Sequence, residues 1–363
     1  AKGIKIDRRQ MLKTNIALTR MIERIDLALK KFFPIDWNSP QQVMDVLYDR
    51  LKLPEQRINK TGNRTSNMDA LESLQHEHPL VKLLLGRRKY EKQRSTYTDY
   101  NIDEQGYFHG DISFTTSTGR ARGFLLTMQH GPIRKLLIPD EPDWEFAYAD
   151  WDRVELWISA VVSGDKEFQR ILKEFNFHQY VGEQVFGEPI AKSDPRYQET
   201  KFITHGTNYG RSIQAIVRDH GIPHHRVKGM QQWMNREFST WEKWRADQFI
   251  QARRDGRLSN SFGFTRYFWS GNIKGMAYAF EPQSCVAHMI KRCMTQLHAQ
   301  LPKPARVVFP FHDAMLVTYP KTMRQEVHTC LKDIMEQRWP MLHNWSADCS
   351  IGIGSNFQEA SEA

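Results

Sequence analysis

Tyr148-Ala-Asp-Trp-Asp-Arg-Val-Glu-Leu156 and Phe309-Pro-Phe-His-Asp-Ala-Met-Leu-Val317 each set one aspartate, Asp150 and Asp313, at the end of an apolar run. An aspartate exposed where a strand stops is well placed to hold a hard cation. A second one at a hairpin tip meets it if the two strands are neighbours in one sheet. Divalent ions about 3.5–4 Å apart could then activate an attacking hydroxyl and stabilise a leaving oxygen. Taken singly, each aspartate reads sooner as an ordinary turn residue. Between the two stretches, Lys201-Phe-Ile-Thr-His-Gly-Thr-Asn-Tyr-Gly210 steps Lys201, His205 and Tyr209 by four along one helix face. A lysine on phosphates, a ring against a sugar and a tyrosine against a base would suit a nucleotide. Alone, the same residues describe a surface lysine and a half-buried tyrosine. Gly210 adds weight, because a mid-helix glycine costs about 1 kcal/mol and needs a packing reason.

Outward from these segments, Thr14–Phe33 has helical apolar spacing, and Ser39-Pro40 supplies an N-cap and a first-turn proline for a second helix. His78–Arg94 reads as a long helix with a cationic face. Gly106–Phe114 and Glu145–Asp150 read as strands. Val154 to about Arg257 reads as helix, broken at Gly187-Glu-Pro189, Gly210 and Gly221-Ile-Pro223. Arg306–Phe311 and Met315–Tyr319 form a hairpin, with Pro310 signalling an edge or a bulge. Gln325–Trp339 is a further helix and Asp348–Gly354 a last strand. The order predicts an α+β fold, a sheet interrupted by a helical insert.

A chain of 363 residues, 40% hydrophobic and 12% aromatic, is a folded protein with room for two or three subdomains. Net charge of +9 and a pI near 9.3 point to a polyanionic partner or to a generic basic protein. Cys285, Cys293, Cys330 and Cys349 show no metal-ligand spacing, so reduced thiols and a cytoplasmic location are expected. No apolar run approaches the roughly 18 residues of a membrane span, and no signal-peptide pattern is present. The first residue is Ala1, so a longer parent is expected.

These residues resemble the polymerase half of family A DNA polymerases, the bacterial DNA polymerase I group and its phage relatives. Asp150–Leu156 is similar to the family's first motif, Lys201–Gly210 to K-x-x-x-[FY]-G-x-x-Y-G, and His312-Asp313 to the third. Thr118-Gly-Arg120 followed by Gln129 resembles the primer-template minor-groove stretch. Ser163–Lys166 with His178 before Phe186 resembles the phosphate-contacting segment. Gln283 followed by Lys291 resembles the primer-end helix. Ser95–Asp99 resembles the thumb-to-palm junction and Ile353–Phe357 the closing strand. The similarity runs in register over residues 14–360.

The resemblance implies a right-hand fold: thumb 1–95, palm 96–157 and 275–363, fingers 158–274. It implies a DNA-directed DNA polymerase that adds deoxynucleoside triphosphates to a primer 3′-end on primer-template DNA. Asp150, Asp313 and the carbonyl of Trp151 would bind two Mg²⁺, with Mn²⁺ substituting; Asp150, Asp313 and Lys201 would be catalytic. Glu155, His178, Arg196, Lys201, His205 and Tyr209 would bind the nucleotide, with Glu155 excluding a 2′-hydroxyl. Arg120, Gln129, Gln283, His312, Lys60 and Arg64 would bind DNA, joined on the basic thumb helix by Arg87, Arg88 and Lys92. No proofreading segment is expected in this chain, an exonuclease or accessory domain being expected in a longer parent, and no membrane partner.

Four departures stand out. His205 replaces Phe or Tyr, Ala314 replaces a glutamate, and Ala279 replaces an asparagine. Tyr197 replaces an arginine, with Arg196 one place earlier and therefore about 100° off the expected face. Trp151 and Trp157 stand where polar or smaller residues are common. Two other readings share the residues: a single-subunit RNA polymerase, opposed by Glu155, and a silent nucleic-acid-binding protein, opposed by Asp150, Asp313 and Lys201 together.

Overall fold

The structure, a computed structural model, describes residues 2–58, 62–99, 101–123, 125–128 and 131–362. Lys60 and Gln129 lie outside the described residues. The chain forms two compact units, Ala1–His109 with Met128–Leu137, and Gly110–Thr127 with Ile138–Ala363.

The first unit opens with β1 (Ile4–Lys5) and α1 (Arg8–Phe32). The helix begins six residues before the expected Thr14 because Asp7 caps it, accepting from the Gln10 amide at 2.8 Å. Ser39 caps α2 (Pro40–Met44) as expected, and that helix widens into a π-turn over Asp45–Arg50. Then come α3 (Met68–Ser73), α4 (Pro79–Tyr97) and β2 (Tyr107–Phe108), which pairs with β1. Leu29 of α1 and Leu80, Val81 and Leu84 of α4 share one core. The cationic face expected on α4 is partly structural. Arg87 is 5% exposed and bound to Asp26 at 2.5 Å and Asn38 at 2.9 Å, so it serves the packing of α1 on α4 rather than a solvent face.

The second unit starts with the small pair β3 (Ile112–Ser113) and β4 (Arg122–Gly123). The single strand expected over Gly106–Phe114 is thus two short strands, β2 and β3, assigned to different units. Next comes β5 (Trp144–Trp151), followed by the helices α5 (Val154–Ser163), α6 (Lys166–Glu174), α7 (Phe177–Phe186), α8 (Pro195–Asn208), α9 (Ile213–His220), α10 (His224–Glu237) and α11 (Ser239–Asp255). They gather around Phe168, Phe177, Phe238 and Trp241, all fully buried. A hairpin of β6 (Arg257–Ser259) and β7 (Thr265–Tyr267) leads into the long α12 (Ile273–Gln300), then β8 (Arg306–Phe311), β9 (Ala314–Pro320), α13 (Arg324–Met335), β10 (Cys349–Gly354) and α14 (Phe357–Glu362).

Four strands make an antiparallel sheet in the order β10-β5-β9-β8. β8 is an edge with a register shift between Val307 and Phe309, the outcome that Pro310 predicts. Ala147 and Ala149 of β5 are fully buried and join Cys285, Val286 and Met289 of α12 in one core. Tyr148 contacts Phe311 and Phe357 instead. The two tryptophans without a sequence account serve the core: Trp151 is buried in it and donates its indole N–H to the Met335 carbonyl at 2.8 Å, and the half-buried Trp157 packs against it, stacked on Trp345. All four cysteines are free. Among the described residues, no helix is long and apolar enough to cross a membrane.

Arg306 of the edge strand makes two bonds, 2.8 and 2.7 Å, to Asp140, which is 1% exposed in the loop before β5. This bidentate pair tethers the hairpin that carries Asp313. Asp140→Asn should lower unfolding stability by roughly 3 kcal/mol, whereas Asp140→Leu with Arg306→Met should lose less, because no lone charge is then left desolvated. Urea unfolding of the two variants checks this; equal losses would contradict the role given to the pair.

Candidate active site

The antiparallel register sets Asp150 opposite Ala314, and the Trp151 amide donates to the Asp313 carbonyl at 3.3 Å. The strand end and the hairpin tip therefore meet, and Asp150 and Asp313 line one cavity of about 720 Å³. Asp150 Oδ1 is buried and has no hydrogen-bond partner. Burial, then Asp313 and Asp152, push its carboxyl up to about 8. Burial also raises Asp313. Two desolvated carboxylates with an unsatisfied oxygen form a place that demands positive charge, so the donor set fits a hard divalent cation. Among the described residues no three side chains of ligand type converge. Further ligands would thus come from backbone, water or a bound phosphate, as suits Mg²⁺.

A tight turn follows β5, with Arg153 at φ +50°, a left-handed conformation rare outside glycine. It swings the chain into α5, whose first turn carries Glu155. Glu155 is ion-paired with Arg120, which follows Gly119 at φ +70°. Burial and Asp313 push the Glu155 carboxyl up to about 8.

Across the cavity, α8 starts at an Asp194 cap with Pro195 in its first turn. Thr200, Ile203, Thr204 and Thr207 face the core, leaving Lys201, His205 and Tyr209 on the open side. Tyr209 is the C-cap rather than a helical residue. Gly210 does not interrupt a helix; it ends one at φ +64°, and a Cβ there would sit 2.8 Å from the Tyr278 ring. His178 of α7 is 5% exposed, with Nδ1 3.0 Å from Thr204 Oγ1. Burial, helped by His205, Lys201 and Arg153, holds its ring down at about 3, so it is neutral at physiological pH. Thr204 Oγ1 also donates to the Lys201 carbonyl at 3.1 Å, and the direction of its bond to Nδ1 depends on the ring tautomer; with the proton on Nε2 the neutral ring can give one hydrogen bond into the cavity.

Of the sequence-predicted residues, Asp150, Trp151, Asp313, Lys201, Glu155, His178, His205, Tyr209, Arg120 and His312 all line this cavity. Arg196 does not: its guanidinium lies on Asp194 at 2.7 Å and Glu188 at 2.5 Å, and Tyr197 lines the cavity in its stead. Gln283 is half-buried on α12, away from the lining. Arg64 belongs to the other unit, where Asp49 at 2.9 Å and Glu55 at 3.5 Å neutralise it over the Tyr48 ring. Lys192, Arg153 and Asn176 also line the cavity. No spacing announces Lys192 or Asn176, which sit in short connections between helices. Arg153 alone had a signal, its place beside the Asp150 motif.

Asp150 binds its proton more tightly folded than unfolded, so without metal its contribution to stability falls as pH rises from about 4 toward 8. Asn cannot ionise. In EDTA, Asp150→Asn should therefore match the wild type in melting temperature near pH 4 and exceed it increasingly toward pH 8. A difference that shrinks with rising pH would contradict the assigned electrostatics.

A family model for DNA polymerase family A matches residues 8–359. The thermostable DNA polymerase I of Thermus filiformis is 27% identical over 393 residues, covering 100% of this chain and 46% of that protein. The thermostable DNA polymerase I of Thermus aquaticus is 27% identical over 390 residues, with the same coverage, 100% and 46%. DNA polymerase I of Geobacillus stearothermophilus is 25% identical over 368 residues, covering 92% and 41%. The chain thus spans about half the length, 46%, of the Thermus relatives. The POL domain of Pol1 from M. smegmatis, solved in complex with DNA primer-template and dNTP, superposes with a TM-score of 0.87 over 99% of this chain and 68% of that one, at 23% identity. That likeness establishes the α+β right-hand fold with an antiparallel palm sheet and helical fingers. With a family match that runs from α1 into α14, the chain belongs to DNA polymerase family A.

Proposed function

We propose that this chain adds deoxynucleoside triphosphates to a DNA primer under the direction of a template. The observation that carries the reading is the meeting of Asp150 and Asp313 at one end of the sheet, with Lys201 and Tyr209 lining the same cavity. In the family's terms we assign residues 1–95 to the thumb, 96–157 and 275–363 to the palm, and 158–274 to the fingers.

Asp150 and Asp313, with the Trp151 carbonyl, would hold two Mg²⁺, and Mn²⁺ would substitute. When bound, the ions supply charge that acidifies the primer hydroxyl and offsets the leaving pyrophosphate. The rest falls to side chains. Lys201 binds the triphosphate as a cation, and the neutral His178 donates one hydrogen bond to it. Lys192 and Arg153 add positive charge at the cavity wall, whereas Arg196 would have to leave Asp194 and Glu188 to take part. Glu155, held by Arg120, fills the space a 2′-hydroxyl needs. Tyr209, at the pivot between α8 and Gly210, covers the nascent pair, and His205 faces the sugar and phosphates. Arg120, His312 and Gln283 contact primer and template. The site serves synthesis, and no editing role is assigned to these residues.

Primer extension on a recessed duplex with Mg²⁺ tests the reading. Deoxynucleotides should be added and ribonucleotides rejected, and Asp313→Asn should lose roughly 10³-fold or more in rate. Glu155→Ala should accept ribonucleotides roughly tenfold better or more. Efficient ribonucleotide use by the wild type would point to an RNA-type enzyme. Tight duplex binding with no extension would leave a silent nucleic-acid-binding protein.

A further inference from the structure

Among the described residues, the most exposed large apolar side chain in the second unit lies outside the cavity. Trp269 is 87% exposed and stacks on Tyr267, itself 54% exposed, with ring centroids 5.9 Å apart and planes 16° from parallel. Phe268 between them is 6% exposed and meets the Phe280 ring edge-on. Where the chain leaves β7 at Tyr267, Phe268 is turned inward as an anchor and the two flanking aromatics are left outward as a pair. Two stacked rings held in water by a buried neighbour present a flat face that the fold itself does not use.

The surroundings are cationic. Residues 252–276 contain Arg253, Arg254, Arg257, Arg266 and Lys274 against one acid, Asp255, which Arg254 already binds at 2.7 Å. Arg257 is exposed and sits directly across the ladder from Tyr267. Lys274 is exposed in the first turn of α12. That turn touches the candidate active site: a Cβ on Gly275 would lie 3.4 Å from the Tyr209 carbonyl, and one on Gly210 would lie 3.5 Å from the Gly275 Cα. Arg257 thus lies across the ladder from the aromatic pair, and Lys274 immediately precedes the glycine that packs against Tyr209.

We propose that Tyr267 and Trp269 form a stacking platform for unpaired bases of a single-stranded nucleic acid, with Arg257 and Lys274 meeting its phosphates. The platform takes any base, because every base offers a π-face. The cations beside the pair suit a phosphate backbone, and the packing of the α12 first turn on Tyr209 gives the occupant as the unpaired template ahead of the primer end. That identification rests on the function proposed above, whereas the platform itself does not.

The test compares affinities of the full chain for a recessed duplex carrying a one-nucleotide or a ten-nucleotide 5′ overhang, by fluorescence anisotropy. The longer overhang should bind more tightly, and Trp269→Ala should cut that gain by about five- to tenfold. Binding of the short overhang and the melting temperature should stay unchanged. Trp269→Phe should keep most of the gain, and a ten-unit abasic overhang, which keeps the phosphates but lacks bases, should give little of it. An overhang gain that Trp269→Ala leaves intact, or that the abasic strand reproduces in full, overturns the platform; the exposed pair would then suit a protein partner. If the chain extends no primer yet loses overhang binding with Trp269→Ala, the platform stands and the catalytic reading fails. If it extends normally while the overhang gain ignores Trp269, only the platform fails.

Discussion

Asp150 lies opposite Ala314 in the pairing of β5 with β9, and the amide of Trp151 donates to the carbonyl of Asp313. Side chains alternate faces along a strand, so a slip of one residue would send Asp150 to the other side of the sheet and separate the two carboxylates. The flanking residues oppose such a slip. Ala147 and Ala149 are small where α12 needs room, while Tyr148 meets the Phe311 and Phe357 rings on the other side. Exchanging these faces would drive aromatic rings into the helix and leave voids under α14. The core that packs the sheet thus also sets the geometry of the site.

The opposing wall has its own support. Arg245 of α11 is 2% exposed, yet its charge is surrounded: Glu242 pairs with it, the Trp241 and Tyr278 rings lie 3.5 and 4.7 Å from it, and it donates to the Thr207 carbonyl. A buried cation is costly unless it is paired and bonded in this way. Here it fixes the last turn of α8, where Tyr209 and Gly210 begin the exit from the helix. Asp150 and Asp313 bear the reverse condition. Their desolvation is only partly compensated within the chain, so the site gains when a cation arrives.

Much of this architecture was legible in the residues. The alternating run through Asp150, the hairpin at His312-Asp313, the edge position of Pro310 and the Ser39 cap all follow from local pattern, and local pattern decides them. Lys201, His205 and Tyr209 share a face because helical spacing requires it. What could not be read depends on partners distant in sequence or on fine conformation. Arg196 is captured by Glu188 and by the Asp194 that caps its own helix, while Arg87 is captured by Asp26 on another helix. Trp151 looks misplaced until the Met335 carbonyl is brought to it. Gly210 looks like a helix interruption until its positive φ shows a terminus. Lys192 enters the cavity from a connection with no periodicity.

The claim that Asp150 and Asp313 form one cation site is tested most directly by Mn²⁺ binding, followed by electron paramagnetic resonance with primer-template DNA and a non-hydrolysable deoxynucleoside triphosphate present. The wild type should immobilise two ions whose spins couple, and Asp150→Asn and Asp313→Asn should each abolish the coupled signal. A coupled pair that survives either substitution would show that the two carboxylates do not act as one site.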